Sequence, residues 1–393
     1  MSRLRGIPPT IFTEMSALAA ATGAINLGQG FPDADGPAEV IEQAAAAMRA
    51  GANQYAPGPG VPALREAIAR HQHRHYGIVL DPATQVVVTT GATEAIAAAM
   101  LGLVEPGDEV VLLEPYYDSY LAMIQMAGGV RRPVTLRAPG FRLDVEALRS
   151  AVSERTRLIL LNTPHNPTGT VLTRDELAAV AQVAIEHDLI VVTDEVYEHL
   201  TFGVPGHQIV HCPISTLPGM AERTLTLSSL GKSYSFTGWK IGWATGPAHL
   251  VTALLGAKQW LTFTSGAPLQ VAAAWALDSA PDWPIELAAS LHERRDLLCA
   301  GLSRAGLDVT VPQGTYFATT DISALGWSDG DAFCRALPER AGVVAVPTQG
   351  FYEPDRPDHD HPGRQLVRWA FCKRPEVLEE AVEGLAGADL AAQ

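Results

Sequence analysis

The sequence predicts an α/β protein in which a large αβα domain with a mainly parallel central sheet is joined to a smaller α+β domain. Three observations predict it. The chain has 393 residues, 47% of them hydrophobic and 18% charged, enough for roughly two or three domains and a sizeable core. From about residue 84 onward, short β-branched runs alternate with helix-like stretches, and Gly, Pro or Asp marks most joints, which is the rhythm of βαβ units. The runs are apolar at consecutive positions, as strands covered by helices on both faces require.

Taken in order, Val86-Val87-Val88-Thr89-Thr90 reads as a strand and residues 93–103 as the helix that follows. Strands are predicted at 110–113, 158–161 and 190–193, with helices at 144–152 and 174–187 between them. Two further strands, 224–228 and 241–244, lie so close together that an antiparallel pairing is open to them. A turn-rich stretch, Asp278-Ser279-Ala280-Pro281-Asp282-Trp283-Pro284, then precedes a long helical run, 285–305, whose apolar spacing is near 3.6. A domain boundary is expected there. Strands near 308–311, 317–320, 343–346 and 365–370 make up the smaller domain.

Composition narrows the function. The 43 acidic and 28 basic residues leave a formal charge of −15, which repels nucleic-acid phosphates and anionic lipid surfaces. Cys212, Cys299, Cys334 and Cys372 form no CxxC pair, so neither a zinc site nor a disulfide framework is expected, and a reducing cytoplasm fits. Arg3 and Arg5 would suit a signal peptide, but Pro8, Pro9 and Glu14 interrupt any apolar stretch. The apolar run 95–104 is about half a membrane span and reads as a buried helix.

Several motifs fail. Gly231-Lys232-Ser233 resembles the end of a phosphate-binding P-loop, but the required first glycine falls on Thr226. Gly58, Gly60 and Ala63 match a GxGxxA fingerprint, yet Pro59 and Pro62 remove backbone donors and no strand precedes them. His71 and His75 are spaced to share a helix face, but no carboxylate or Cys completes a metal set, so no metal is expected. His359-Asp360-His361 sits in a Pro- and Asp-rich loop and reads as solvated surface.

The chemistry gathers at lysine. Only Lys232, Lys240, Lys258 and Lys373 occur, so 24 of the 28 basic residues are arginine. Two of the four fall in Ser228-Ser229-Leu230-Gly231-Lys232-Ser233-Tyr234-Ser235-Phe236-Thr237-Gly238-Trp239-Lys240. Schiff-base chemistry needs an amine, and arginine cannot replace it because its guanidinium stays protonated. Alone, Lys232 would read as a surface charge. Beside Gly231, three hydroxyls and a second cation it lies in a small, polar, anion-friendly turn.

With this segment the chain resembles the class I/II pyridoxal-phosphate aminotransferases of fold type I, along nearly its whole length. Five motifs carry the resemblance: Asn26-Leu27-Gly28-Gln29-Gly30, Gly91-Ala92-Thr93-Glu94-Ala95, Asn162-Thr163-Pro164-His165-Asn166-Pro167-Thr168-Gly169, Asp194-Glu195-Val196-Tyr197, and the Lys232 segment. It implies a large cofactor-binding domain, 36–284, and a small domain built from both termini, 1–35 and 285–393. It also implies pyridoxal 5'-phosphate held on Lys232, which then moves a proton at the substrate Cα. Asp194 would pair with the pyridine nitrogen, and Asn166 and Tyr197 would hydrogen-bond the phenolic oxygen.

By the same resemblance, Tyr117 would stack on the ring. Gly91, Ala92, Thr93, Ser229 and Lys240 would hold the phosphate at a helix N-terminus. Many relatives have arginine where this chain has Lys240, so a point charge replaces a fork. Tyr55 would reach the phosphate of a neighbouring subunit, which implies a homodimer with shared sites. Arg368, assisted by Asn166 and the Gly30 backbone, would clamp the substrate carboxylate. Outside this family, Asn166 would be a turn residue and Arg368 a structural ion-pair partner.

The activity implied is ping-pong amino transfer between an amino acid and a 2-oxo acid. A β-lyase would use the same lysine but expel a group from Cβ, and a cofactor-binding sensor would need a DNA-binding module that is not expected here. Leu27 to Asp33, Gly238 to Trp243 and Arg368-Trp369-Ala370-Phe371 look like the kynurenine and glutamine transaminase branch. Within it, the overall wording resembles actinobacterial N-succinyldiaminopimelate aminotransferases of lysine biosynthesis. The expected substrates are N-succinyl-LL-2,6-diaminopimelate and 2-oxoglutarate, with kynurenine or glutamine as the alternative donors.

Overall fold

The computed structural model describes residues 7, 10–203, 208–354, 356 and 361–392. Arg3, Arg5, Pro8, Pro9, His359 and Asp360, on which two of the readings above turn, lie outside them. The strands are β1 (Ile25–Asn26), β2 (Val86–Thr90), β3 (Glu109–Glu114), β4 (Val130–Thr135), β5 (Thr156–Asn162), β6 (Ile190–Asp194), β7 (Thr224–Ser229), β8 (Ile241–Thr245), β9 (Asp308–Thr310), β10 (Phe317–Asp321), β11 (Val343–Val344), β12 (Val346–Pro347) and β13 (Leu366–Ala370). The helices are α1 (Ile11–Thr22), α2 (Ala38–Arg49), α3 (Pro62–Tyr76), α4 (Gly91–Leu103), α5 (Asp118–Ala127), α6 (Val145–Ala151), α7 (Arg174–Glu186), α8 (Leu230–Ser233), α9 (Ala248–Lys258), α10 (Ala267–Ser279), α11 (Trp283–Arg304), α12 (Gly330–Ala341) and α13 (Pro375–Gly387).

Seven strands form the main sheet in the order β2-β8-β7-β6-β5-β3-β4. All neighbours run parallel except β8, which is antiparallel to both β2 and β7. The closely spaced pair therefore does run antiparallel. Successive residues along a strand serve opposite faces. Val110, Leu112, Leu158 and Leu160 pack with Ile96, Met100 and Leu254 from α4 and α9. Val111, Leu113, Ile159 and Leu161 pack with Leu148, Leu177 and Val180 from α6 and α7.

The edge strand β4 carries no strand signal in the sequence. Its Val-Arg-Arg-Pro-Val-Thr composition contains no apolar run, and Pro133 is tolerated because only one side of an edge strand is paired. Beyond the main sheet, β12-β13-β10-β9 form an antiparallel sheet. The chain's beginning packs against its end: β1 pairs in parallel with β11, Ile25 opposite Val343, and Met15 and Leu27 share a core with Leu298, Phe333 and Leu378. The long helical run begins at Trp283, with Pro284 in its first turn where its missing N–H breaks no bond.

The run 95–104 lies in and just beyond α4, and all but Leu101 and Gly102 are buried. Among the described residues no helix is long and apolar enough to cross a membrane. All four cysteines are free.

Candidate active site

In an open sheet with helices on both faces, a cavity is expected where strands end and their loops diverge. Here a cavity of about 390 Å³ opens beside the ends of β5, β6 and β7 and the start of α4. Gly30, Gly91, Ala92, Thr93, Tyr117, Asn166, Asp194, Tyr197, Ser229, Lys232, Lys240 and Arg368 all line it. Every site residue expected from the sequence is therefore gathered in one place, with the exception of Tyr55. That side chain is 86% exposed, stands edge-on to Phe263 and lies outside the cavity.

β7 ends at Ser229 and runs directly into α8, which carries Lys232. The Lys232 Nζ donates to Tyr316 Oη at 2.9 Å and to the Gly30 carbonyl at 3.3 Å, and Tyr316 Oη donates to the same carbonyl at 2.5 Å. Burial lowers the lysine pKa to about 8, because the ammonium form loses most from leaving water. Close to neutrality a useful fraction of the amine is then unprotonated. Gly30 is required to be glycine: a Cβ there would stand 2.5 Å from Phe317 Cζ.

The other lysines behave differently. Lys258 is fully buried, donating to the carbonyls of Phe263 at 2.6 Å and Gly58 at 3.1 Å, while Lys373 donates to the Phe31 carbonyl. Only Lys232 and Lys240 face the cavity.

Asp194 closes β6 and is buried. Its Oδ2 accepts the Tyr120 hydroxyl at 2.7 Å and its Oδ1 accepts the Val196 amide at 3.3 Å. Burial raises its pKa to about 6, against the pull of the Tyr120 hydrogen bond. The neighbouring strand end is tied to it, since Asn162 Nδ2 donates to the Asp194 carbonyl and Asn162 Oδ1 accepts the Asn166 amide at 2.7 Å.

Opposite Lys232, α4 begins without a break after β2, leaving the first-turn amides without helical acceptors. Gly242 of β8 lies directly against this turn: a Cβ there would stand 2.5 Å from the Gly91 carbonyl carbon and 2.7 Å from the Ala92 nitrogen. Lys240 takes a left-handed φ of 54°, and its Cε and Nζ lie 3.2 Å from where a Gly91 Cβ would be. Amides, the Ser229 hydroxyl and one cation together make an anion cup.

Arg368 is buried on β13, its guanidinium 3.9 Å from the Phe317 ring centroid. Nη1 donates to Asn166 Oδ1 at 3.0 Å and Nη2 to the Gly28 carbonyl at 2.7 Å, while Nε is buried without a partner among the described residues. Burial lowers its pKa to about 10, so it stays cationic at neutral pH. Tyr116, the neighbour of Tyr117 in the chain, is a packing residue: its ring is buried and its hydroxyl donates to Glu353 at 2.8 Å.

Tyr120 and Tyr316 were not singled out from the sequence. Tyr120 lies three positions after Tyr117, close to one helical turn, which is the one local signal that could have found it. Tyr316 precedes the strand β10, and nothing near it in the chain points to Lys232.

Comparison with known proteins agrees with this geometry. The family model described as aminotransferase class I and II matches residues 22–385. A Mycobacterium tuberculosis protein named as a probable N-succinyldiaminopimelate aminotransferase is 51% identical over 98% of this chain and 97% of its own. The solved N-succinyldiaminopimelate aminotransferase structure from that organism superposes with a TM-score of 0.94, covering 98% of this chain and 99% of that one. The Escherichia coli methionine aminotransferase is 41% identical over 98% of this chain and 97% of its own. Mouse kynurenine–oxoglutarate transaminase 3 is 36% identical over 97% and 88%.

Proposed function

The chain belongs to the class I and II aminotransferases, pyridoxal-phosphate enzymes that move an amino group from an amino acid to a 2-oxo acid, and from that premise we propose that its substrates are N-succinyl-LL-2,6-diaminopimelate and 2-oxoglutarate. The 51% identity over nearly the full length of an N-succinyldiaminopimelate aminotransferase carries this reading. The likeness to kynurenine transaminases at 36% identity makes kynurenine or glutamine the competing donors.

The residues of the cavity fit pyridoxal phosphate. A buried amine of lowered pKa, a buried carboxylate and an anion cup on separate walls match its aldehyde, ring nitrogen and phosphate. Bound there, the cofactor supplies a carbonyl for the substrate amine and a ring that takes up the electrons left when Cα loses its proton. Lys232, held by Tyr316 and the Gly30 carbonyl, takes that proton and returns it as general base and acid.

Asp194, oriented by Tyr120, would pair with the ring nitrogen and keep a proton on it. Asn166, whose Oδ1 is engaged by Arg368, would offer Nδ2 to the phenolic oxygen, and Tyr197 would donate its hydroxyl to the same atom. Tyr117, on the cavity wall, would cover the ring. Gly91, Ala92, Thr93, Ser229 and Lys240 bind the phosphate, and Arg368 clamps the substrate carboxylate against the Gly30 backbone.

We further infer a cytoplasmic homodimer in which Tyr55 reaches the partner's phosphate. The support is exposed apolar surface: Tyr55 stands edge-on to Phe263, which is 47% exposed, and Trp260 and Leu261, 82% and 45% exposed, lie just before Phe263 in the chain. Residues 36–284 serve as the cofactor-binding domain and 1–35 with 285–393 as the small one, a division supported by the β1–β11 pairing.

A donor panel with 2-oxoglutarate as acceptor tests the substrate. The succinylated diamino acid should exceed kynurenine, glutamine and methionine by about tenfold or more in kcat/KM. If kynurenine or glutamine turns over faster, the substrate assignment is wrong. Release of pyruvate and ammonia from a β-substituted donor as the main outcome would instead mark a β-lyase.

A further inference from the structure

We propose that His71, His75 and His199 form a binding site for a divalent transition-metal ion, zinc above all, outside the active-site cavity. His71 and His75 are four apart on α3 and share one face of it, but the sequence around them offers no third ligand. The fold supplies one. His199 arrives from the segment after β6, two residues beyond Tyr197, and one ring nitrogen from each histidine lies within 4.8 Å of the other two. Ring centroids are 4.6 Å apart for His71–His75, 4.9 Å for His71–His199 and 4.7 Å for His75–His199. None of the three lines the cavity.

The competing description is a hydrogen bond, His71 Nε2 to His199 Nε2 at 2.8 Å. It accounts for two of the three rings and leaves out His75, whose ring centroid stands 4.6 Å from that of His71 and 4.7 Å from that of His199. A tetrahedral zinc with bonds of about 2.0–2.1 Å places its ligand nitrogens about 3.3 Å apart. His71 and His199 would separate by about half an ångström and His75 would close in, displacements that side-chain torsions can supply.

Charge favours the same reading. Glu198, next in sequence to His199, is buried, and its Oε1 accepts the Ser228 hydroxyl at 2.6 Å. A fixed negative charge beside the rings offsets the charge of a divalent ion. An all-imidazole set selects zinc, copper or nickel over calcium or magnesium, and three such ligands leave a fourth position for water. His71 is buried while His75 and His199 are partly exposed, so the ion can enter from one side. Bound there, it would tie α3 to the segment that carries Asp194 and Tyr197.

The test uses the holoenzyme without a histidine tag, stripped with a chelator, dialysed, and titrated with zinc chloride under metal analysis. Cobalt chloride serves as the spectroscopic probe. Wild type should hold one zinc per chain at about micromolar or tighter affinity, and cobalt should give the visible bands of a tetrahedral nitrogen site. His75→Ala and His199→Gln should each weaken zinc binding by about tenfold or more. His73→Ala, an exposed histidine on the same helix, should not. The proposal is overturned if wild type retains no zinc at about 100 μM, or if both ligand variants bind it as tightly as wild type does.

Discussion

Replacing Asp194 with asparagine should stabilise the cofactor-free chain even as it destroys transamination. Burial holds this carboxyl at a pKa of about 6 against an ordinary 3.8, although the Tyr120 hydroxyl and the Val196 amide both favour its ionised form. An acid whose folded pKa exceeds its unfolded value binds protons more tightly when folded. Stability therefore falls as pH rises from about 4 to about 6, and the loss persists at higher pH. A difference of about two units corresponds to about 3 kcal/mol. Asparagine has the same shape, carries no charge and still offers Tyr120 an acceptor.

The substitution should thus raise the unfolding free energy by about 3 kcal/mol at pH 8 and by about half as much at pH 5, where the unfolded carboxyl is ionised and the folded one is not. Urea unfolding of the protein freed of cofactor, followed at both pH values, measures this. Equal midpoints at pH 8, or a gain that does not shrink at pH 5, would refute the claim that desolvation of the carboxylate dominates at this position.

Three further perturbations address the rest of the site. Borohydride reduction of the holoenzyme should leave the pyridoxyl group on Lys232, and Lys232→Ala should lower kcat by about 10²–10⁴ or more through loss of the acid–base group; an adduct mapped to Lys240 or Lys258 would overturn the assignment. Arg368→Lys replaces a planar fork with a point charge, so kcat/KM for amino donors should fall by about 10- to 100-fold, chiefly through KM; an unchanged KM in steady-state assays would remove Arg368 from carboxylate binding. Tyr55→Phe should weaken cofactor retention by about fivefold, the worth of one hydrogen bond, in a protein that sediments as a dimer; a monomer with full retention would contradict the shared site.

What could be read from the chain alone was whatever is written locally. Strands buried on both faces announce themselves as β-branched runs, and 190–193 was placed within one residue of β6 (Ile190–Asp194). Asn162 to Gly169 and Asp194 to Tyr197 are motifs whose residues sit on consecutive strand ends, so the fold had only to bring neighbouring strands together. The features that escaped are those made by long-range packing. Tyr316 reaches Lys232 from 84 positions away, His199 reaches His71 from 128, and Glu353 meets Tyr116 from 237. No periodicity in either segment encodes such a meeting. The edge strand β4 was hidden for a different reason: with one side unpaired it carries arginines and a proline in place of an apolar run.

The two central ionisable groups of the cavity are displaced in opposite senses by one cause. Desolvation pushes the Lys232 amine down to about 8 and the Asp194 carboxyl up to about 6, each toward its uncharged form. Neither direct hydrogen bond to Lys232 comes from a charged partner, since it meets a hydroxyl and a carbonyl. A ligand is therefore selected by where it places charge. One that sets a cationic ring nitrogen against Asp194 restores the carboxylate, and one that sets a phosphate between Lys240 and the start of α4 meets a cation and open amides. A carboxylic acid without the ring would satisfy the second wall and leave the first strained, whereas an amine without the phosphate would do the reverse. The cavity thus discriminates by requiring both ends at once, because an incomplete ligand leaves either the buried Asp194 or the anion cup without its complement.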